Sequence, residues 1–158
     1  MGSLAVDRIA RHLALSFTSR RQTEFIDITD QLDQFVRQCG ARTGLLTVQT
    51  LHTTTAVVVN EGEPLLLADF ERSLERTIPR SLPYWHDEMA LRAGVHPDEP
   101  ANGHAHCRAL LLPTSVVLTV AKGALRLGRW QRVFLVELDG PRHREASAVL
   151  LGGSWLCE

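Results

Sequence analysis

Ser115 to Gly140 reads SVVLTVAKGALRLGRWQRVFLVELDG, and the parsing of this stretch decides the fold class. Ser115 to Val120 is dense in Val, Leu and Thr, which suit a pleated, half-buried surface. Lys122-Gly123 supplies turn chemistry, Leu125 to Leu127 and Gln131 to Leu138 read as two further strands, and Asp139 to Pro141 is the next turn, in its plainest reading a hairpin. Downstream, Ala146 to Leu151 reads as a last strand. Upstream, Gly44 to Thr50 and Thr54 to Asn60 read as two strands meeting near a turn at His52 and Thr53. His12 to Phe17 and Glu24 to Ile28 alternate apolar and polar residues, which predicts two more strands joined near Ser19 to Arg21 as a first hairpin.

Helical signals are fewer. Thr29 or Asp30 is placed to cap a helix with Leu32, Phe35 and Val36 on one face, stopping near Gly40. Leu66, Phe70, Leu74 and Ile78 recur every fourth residue within Leu65 to Ile78, the best amphipathic helix of the chain, and Pro79 stops it. Arg80 to Gly103 carries Pro83, Pro97, Pro100, Tyr84 and Trp85 and reads as an ordered loop whose aromatics want burial. Ala105 to Leu112 reads as a brief helix. The count predicts an α+β fold: a single domain over 1–158, mainly antiparallel β-sheet, sandwich-like, with two or three short helices.

The 158 residues, 44% of them hydrophobic, suit one compact domain. Lys and Arg number 17 against 18 Asp and Glu, and this near-balance argues against binding nucleic acid by phosphate neutralisation. Apolar runs such as Leu110 to Leu112 fall far short of the roughly 20 residues that cross a bilayer, so no membrane span is expected. Met1 to Val6 lacks a basic start and an apolar stretch of secretory length, and Cys39, Cys107 and Cys157 are odd in number and widely spaced. A cytoplasmic protein with free thiols is expected. Lys122 is the one lysine and sixteen residues are arginine, whose planar fork fits phosphate or carboxylate.

His52, His86, His104 and His106 all sit in polar, turn-flanked places. Three neutral imidazoles converging on one point would form an open metal site, whereas ordinary loop or core histidines bonded to backbone are the alternative. If a helix begins at Ala105, only one of His104 and His106 can point inward. Asn60-Glu61 ends an apolar strand: Glu61 is a candidate general acid or base with Asn60 to orient it, or the pair belongs to an Asn-Glu-Gly-Glu-Pro turn. Trp130 could stack on a planar ring with Gln131 bonded to it, or close a sheet end. Cys107 stands within an apolar run, where cysteine is ordinarily a small core residue. The chain contains no glycine-rich phosphate loop, Cys-x-x-Cys pair or nucleophile elbow.

In order along the chain stand His52-Thr53-Thr54-Thr55-Ala56, Val59-Asn60-Glu61, Asp69, Tyr84-x-His86, Asn102-x-x-x-His106, Gly123-x-Leu125-x-Leu127-Gly128-x-Trp130-Gln131 and Glu137-x-Asp139-Gly140-x-Arg142. This series, spanning about Gly44 to Arg144, resembles the YjbQ-like family, the secondary thiamine-phosphate synthase group. The resemblance implies an antiparallel α+β fold, a homotrimer, a site around shared histidines near a subunit boundary, and weak thiamine-phosphate synthase activity. His52, His86 and His106 fit the three histidine positions, Asn60 and Glu61 the Asn-Glu pair, Asn102 the asparagine, and Trp130 with Gln131 the Trp-Gln pair. His104 has no counterpart. Arg129 stands where threonine is usual, the loop Gly62 to Pro64 is one residue short with Glu63 in place of aspartate, and Thr119 replaces a proline.

The implied chemistry joins an aminopyrimidine pyrophosphate to a thiazole phosphate. A divalent cation, zinc or magnesium, on His52, His86 and His106 would offset charge on the departing pyrophosphate. Glu61, Asn60 and Asn102 would be the catalytic groups, and Trp130, Gln131 and Arg129 would bind substrate. Three imidazoles favour zinc, while pyrophosphate chemistry favours magnesium with oxygen ligands. A zinc-dependent hydrolase, and a non-catalytic trimeric module for a metal or a small anion, are the competing expectations.

Overall fold

The computed structural model describes residues 8–96 and 98–154. Pro97 and Cys157, and the Met1 to Val6 stretch, lie outside the described residues. Among these residues eight strands and three α-helices run in the order β1 (Arg8–Thr18), β2 (Glu24–Asp27), α1 (Thr29–Cys39), β3 (Thr43–Thr50), β4 (Thr55–Glu61), α2 (Pro64–Thr77), α3 (Gly103–Leu110), β5 (Ser115–Ala121), β6 (Ala124–Leu125), β7 (Gln131–Glu137) and β8 (His143–Gly153). They form a five-stranded sheet in the order β1-β8-β3-β5-β6 and a three-stranded sheet in the order β2-β7-β4, all neighbours antiparallel. The expected α+β architecture is the observed one.

Three layers follow from where the apolar side chains go. Leu46 and Val48 of β3, Leu118 and Val120 of β5, and Ala148 and Leu150 of β8 meet Val57 of β4 and Val133 and Leu135 of β7 in the main core, which Leu32, Phe35 and Val36 of α1 close from the side. Phe134, Val136 and Ala56 point the other way, toward Ala105 and Ala109 of α3 and Leu67 and Leu74 of α2. The continuous run Val133 to Val136 is therefore apolar on both faces because both faces are covered. Truncating a side chain such as Leu135, which is fully buried, to alanine should cost about 2–5 kcal/mol.

The local punctuation works as the residue types require. Lys122 (φ 54°) and Gly123 (φ 81°) carry the left-handed backbone of the β5–β6 hairpin, and Gly40 (φ 71°) ends α1. Three expectations about the path of the chain need correction. The first two strands do not form a hairpin: β1 pairs with β8 along its whole length and β2 pairs with β7, so the chain changes sheets between them. Asp139 to Arg142 is likewise a crossover between β7 and β8 in different sheets, not a hairpin turn. The α1 N-cap is also not Thr29 or Asp30 but Ile28, which caps with no side-chain bond, while the Asp27 carboxylate just before it accepts from the Thr29 N–H at 2.9 Å. Glu63 caps α2, accepting from the N–H groups of Leu65 (2.9 Å) and Leu66 (2.7 Å) just ahead of Pro64.

Cys39 is half-buried and Cys107 exposed, both as free thiols. The expectation of a buried Cys107 fails because α3 buries Ala105, Arg108 and Ala109, and Cys107 falls on the opposite side of the helix. No helix among the described residues is long and apolar enough to cross a membrane.

Candidate functional site

The register of β4 against β7 sets the geometry of the candidate site. Thr55 faces Glu137 at one end of the three-stranded sheet and Glu61 faces Gln131 at the other. Six strand steps separate the two ends, roughly 20 Å. His52, Asn102, His86 and His106 gather toward the first end, whereas Asn60, Glu61, Arg129, Trp130 and Gln131 stand at the second.

Glu137 is the post on which the first end is built. Its fully buried carboxylate receives both Arg144 Nε and Nη2 at 2.7 Å, Ser19 Oγ at 2.9 Å, and the N–H groups of Leu138 (3.0 Å) and Asp139 (2.8 Å). Burial alone would push this acid up, but the Arg144 guanidinium and the backbone donors hold it below the usual carboxylate range. Arg144 also donates to Thr54 Oγ1 at 2.9 Å, so one ion pair ties β7 and β8 to the His52-Thr53-Thr54-Thr55 loop. Thr55 Oγ1, in contact with Thr50 Oγ1, donates to the His52 carbonyl at 3.2 Å.

Beyond Glu137 the chain presents Asp139, almost wholly buried. Asn102 Nδ2 donates to Asp139 Oδ2 at 2.7 Å and Asn102 Oδ1 lies 3.1 Å from His86 Nε2. An ionised Asp139 can only accept, which orients the amide and makes His86 Nε2 the donor, leaving the Nδ1 lone pair of neutral His86 available. Arg142 closes on the same acid through Nη2 at 3.0 Å and donates from Nε to its carbonyl at 2.9 Å. The His86 and His106 rings stand edge to face with centroids 4.7 Å apart. Burial, and then the neighbouring His86, push His106 below the ordinary imidazole value. Glu99 lies 3.6 Å from His86 Nε2 and pairs with Arg92 at 2.5 Å, and Arg92 donates to the His86 carbonyl at 2.9 Å.

The loop that carries His86 is pinned to α3. Asp87 Oδ1 accepts from the Gly103 N–H at 2.8 Å, and a Cβ on Gly103 would come within 2.5 Å of Tyr84 Cβ, so the approach requires glycine. Because α3 begins at Gly103, His104 and His106 diverge. His106 meets His86, while buried His104 lies against Tyr84 (ring centroids 6.3 Å) and within 3.4 Å of Gln22 Nε2. Burial, then the Arg108 charge, lower His104.

His52 is set apart from this pair. Its Nε2 accepts from the Glu145 N–H at 2.8 Å, so the neutral ring carries its proton on Nδ1, and burial together with Arg144 keeps it below the ordinary value. Among the described residues no three His, Cys, Asp or Glu side chains are placed to hold one ion.

The second end is open. Glu61, Arg129 and Trp130 line a pocket of about 390 Å³ together with Asp27 and Arg132. Trp130 is 61% exposed, and the Arg129 guanidinium covers its ring at 4.6 Å from the centroid, a cation–π contact that occupies a face a planar substrate would use. Arg132 is committed to Asp27 (2.6 Å) and Asp30 (3.0 Å), so Glu61 and Arg129 are the charged groups left for a ligand, while Gln131 Oε1 accepts from the Gly128 N–H at 2.7 Å and keeps its Nε2 donor. Asn60 and Glu61 point to opposite faces of β4, Asn60 to the side of Val58 and the helices and Glu61 to the side of Val59, so they do not reach into one pocket. Asn60 Oδ1 accepts from the Glu61 N–H at 2.9 Å.

Sequence reasoning missed Glu99 and Arg92, which lie in a non-periodic loop and give no signal. Asp139 and Arg142 were legible as a motif but read as a turn; an acid and an arginine three apart after a fully apolar strand was the available clue.

Comparison with known proteins is consistent along most of the chain. A UPF0047 protein from Archaeoglobus fulgidus is 42% identical over 132 residues, 84% of this chain and 94% of that protein. YugU of Bacillus subtilis, another UPF0047 protein, is 27% identical over 139 residues, 87% of this chain and 97% of that one. A crystal structure from Sulfolobus solfataricus P2, described as a YbjQ-like protein of unknown function, superposes with a TM-score of 0.83 at 33% identity, covering 92% of this chain and 99% of that one. A hypothetical protein from Aeropyrum pernix K1 gives a TM-score of 0.80 at 32% identity, with 90% and 98% covered. The family model for UPF0047 protein YjbQ-like matches residues 13–153, and the chain belongs to that family.

Proposed function

We propose that the protein is an enzyme of small phosphorylated molecules that works as a homotrimer, each site pairing the histidine end of one copy with the tryptophan end of the next. The observation that carries this reading is the roughly 20 Å along β4 between two sets of residues suited to one reaction. Opposite ends of a molecule are brought together by a head-to-tail contact that closes into a ring. The reaction we assign is of the thiamine-phosphate synthase kind. The thiazole nitrogen attacks the methylene carbon of the aminopyrimidine, the C–O bond to pyrophosphate breaks, and pyrophosphate leaves with the electron pair.

In this reading the Asp139–Asn102 pair holds His86 in one tautomer, its Nδ1 lone pair turned to accept a proton, and His106 with Arg142 donates to the departing pyrophosphate. Trp130 stacks on the pyrimidine once Arg129 swings toward phosphate, and Glu61 holds the aminopyrimidine edge or moves its proton. Turnover of the two named substrates by wild type, Glu61→Gln and His106→Ala, with light-scattering mass, tests the proposal. The expected results are a loss of on the order of 10²-fold or more in each variant with the fold intact, and a mass three times the 17.6 kDa of one chain. A wild type that binds these molecules but turns over neither them nor other phosphate esters would be a binding module instead.

A further inference from the structure

The other face of the three-stranded sheet carries a second cavity, and it has nothing in common chemically with the charged groups of either end. It lies under α2, about 200 Å³ in volume, walled by Phe25, Val58, Phe70, Leu74 and Leu112. No residue of α2 is fully buried, although Leu66, Leu67, Phe70 and Leu74 form a continuous apolar stripe, so the helix rides above the sheet rather than closing on it. Phe25 tilts against Phe70 with centroids 5.8 Å apart and meets Phe134 edge-on at 6.2 Å, which leaves aromatic walls around the space.

Two neutral polar groups reach this cavity, Asn60 and Ser73. Asn60 uses its Oδ1 on the Glu61 N–H, and its Nδ2 donor has no protein partner among the described residues. Ser73 Oγ accepts from Arg76 at 3.3 Å, which leaves its O–H to donate. The space is open at its mouth, where Asn60 and Ser73 are exposed, and no ionised side chain lines it, so it offers a charged ligand no partner. An engineered apolar cavity of about 150 Å³ takes benzene, which sets the scale for what fits.

We infer that the cavity beneath α2 is a binding site for a small, neutral aromatic or heteroaromatic ring bearing one hydrogen-bond acceptor, which receives Asn60 Nδ2. The inference stands independently of the histidine cluster and of the proposed turnover. Its ligand class differs from the phosphorylated substrates, because no side chain lining the space offers phosphate a counter-charge.

The probe is phenol, neutral at pH 7, titrated into the full-length protein carrying ¹³C-labelled Val and Leu methyl groups. Saturable shifts are expected at Val58, Leu74 and Leu112, with a dissociation constant on the order of a millimolar, and no such shifts with benzoate. Asn60→Leu is expected to weaken phenol about three- to tenfold while leaving toluene unchanged, the size of one neutral hydrogen bond. Val58→Phe fills the space and abolishes the shifts. If its spectrum shows an unfolded chain, Val58→Ile narrows the same wall and is expected to weaken phenol severalfold. The inference is overturned if phenol gives no saturable shift at these methyls, if benzoate binds as well as phenol, or if the folded Val58 variant binds phenol like wild type.

Discussion

The two ends of the three-stranded sheet are built on opposite principles. Where Thr55 faces Glu137, acids, amides and guanidinium groups are buried and each is held by several partners: Glu137 by Arg144, Ser19 and two backbone N–H groups, Asp139 by Asn102 and Arg142. Where Glu61 faces Gln131, Trp130 and Arg129 lie in solvent and touch mainly each other. A preorganised cluster can orient a reacting group without rearranging, whereas an open rim adapts to what it binds. The contrast also shows that motifs adjacent along the chain need not share a site, since Asn60 and Glu61 are neighbours facing opposite ways.

The contrast breaks most visibly at its post. Glu137→Ala leaves the Arg144 guanidinium buried and unpaired, and a loss of about 3–5 kcal/mol is expected in urea or guanidinium unfolding. A loss under 1 kcal/mol would mean that the pair does not organise this end. Asn102→Ala removes one partner each from Asp139 and His86, and a loss of about 1–3 kcal/mol is expected. The ¹⁵N shifts of His86 should move with it, as the ring is no longer held in the Nε2–H tautomer; unchanged shifts would refute the orienting role.

A pH series separates the ends in a third way. His52, His104 and His106 all have folded values below the ordinary 6.5, so the unfolded chain takes up protons more readily and folding stability falls as pH drops below about 6.5. Above that value the contribution is fully present. Glu137 acts in the same direction lower down, its stabilisation fading as pH falls below 4.5. His104→Gln should flatten the slope between pH 6.5 and 5; an equally steep slope would put the proton uptake elsewhere. The smallest effect belongs to the open end: Trp130→Ala is expected to change stability by no more than about 0.5 kcal/mol, because the ring is mostly exposed, and a larger loss would show that it packs.

Much of this fold was legible residue by residue. Gly40, Pro79 and Lys122-Gly123 stop or turn the chain where expected, since their backbone preferences are local. Strand pairing was not legible, because alternation says which face a residue takes but not which strand lies beside it. β1 therefore read as the partner of β2, although it is paired from Arg8 to Thr18 with β8, more than a hundred residues away in sequence. The candidate site was legible as residue types and not as geometry. His86, Asn102 and His106 come together because Gly103 lets α3 press against Tyr84, a contact between a loop and a helix that no spacing rule carries. His52 instead spends its Nε2 on a backbone N–H of β8.

The division of labour between the two ends is tested most directly by mixing them. His106→Ala damages one end and Glu61→Gln the other, so each variant alone should be inactive on aminopyrimidine pyrophosphate and thiazole phosphate. Co-expressed in equal amounts, they assemble at random, and about a quarter of neighbouring pairs join an intact histidine end to an intact glutamate end. Recovery of about a quarter of wild-type turnover is the predicted result. Two inactive variants that remain inactive in mixed trimers would contradict it and place both residues at work within a single chain.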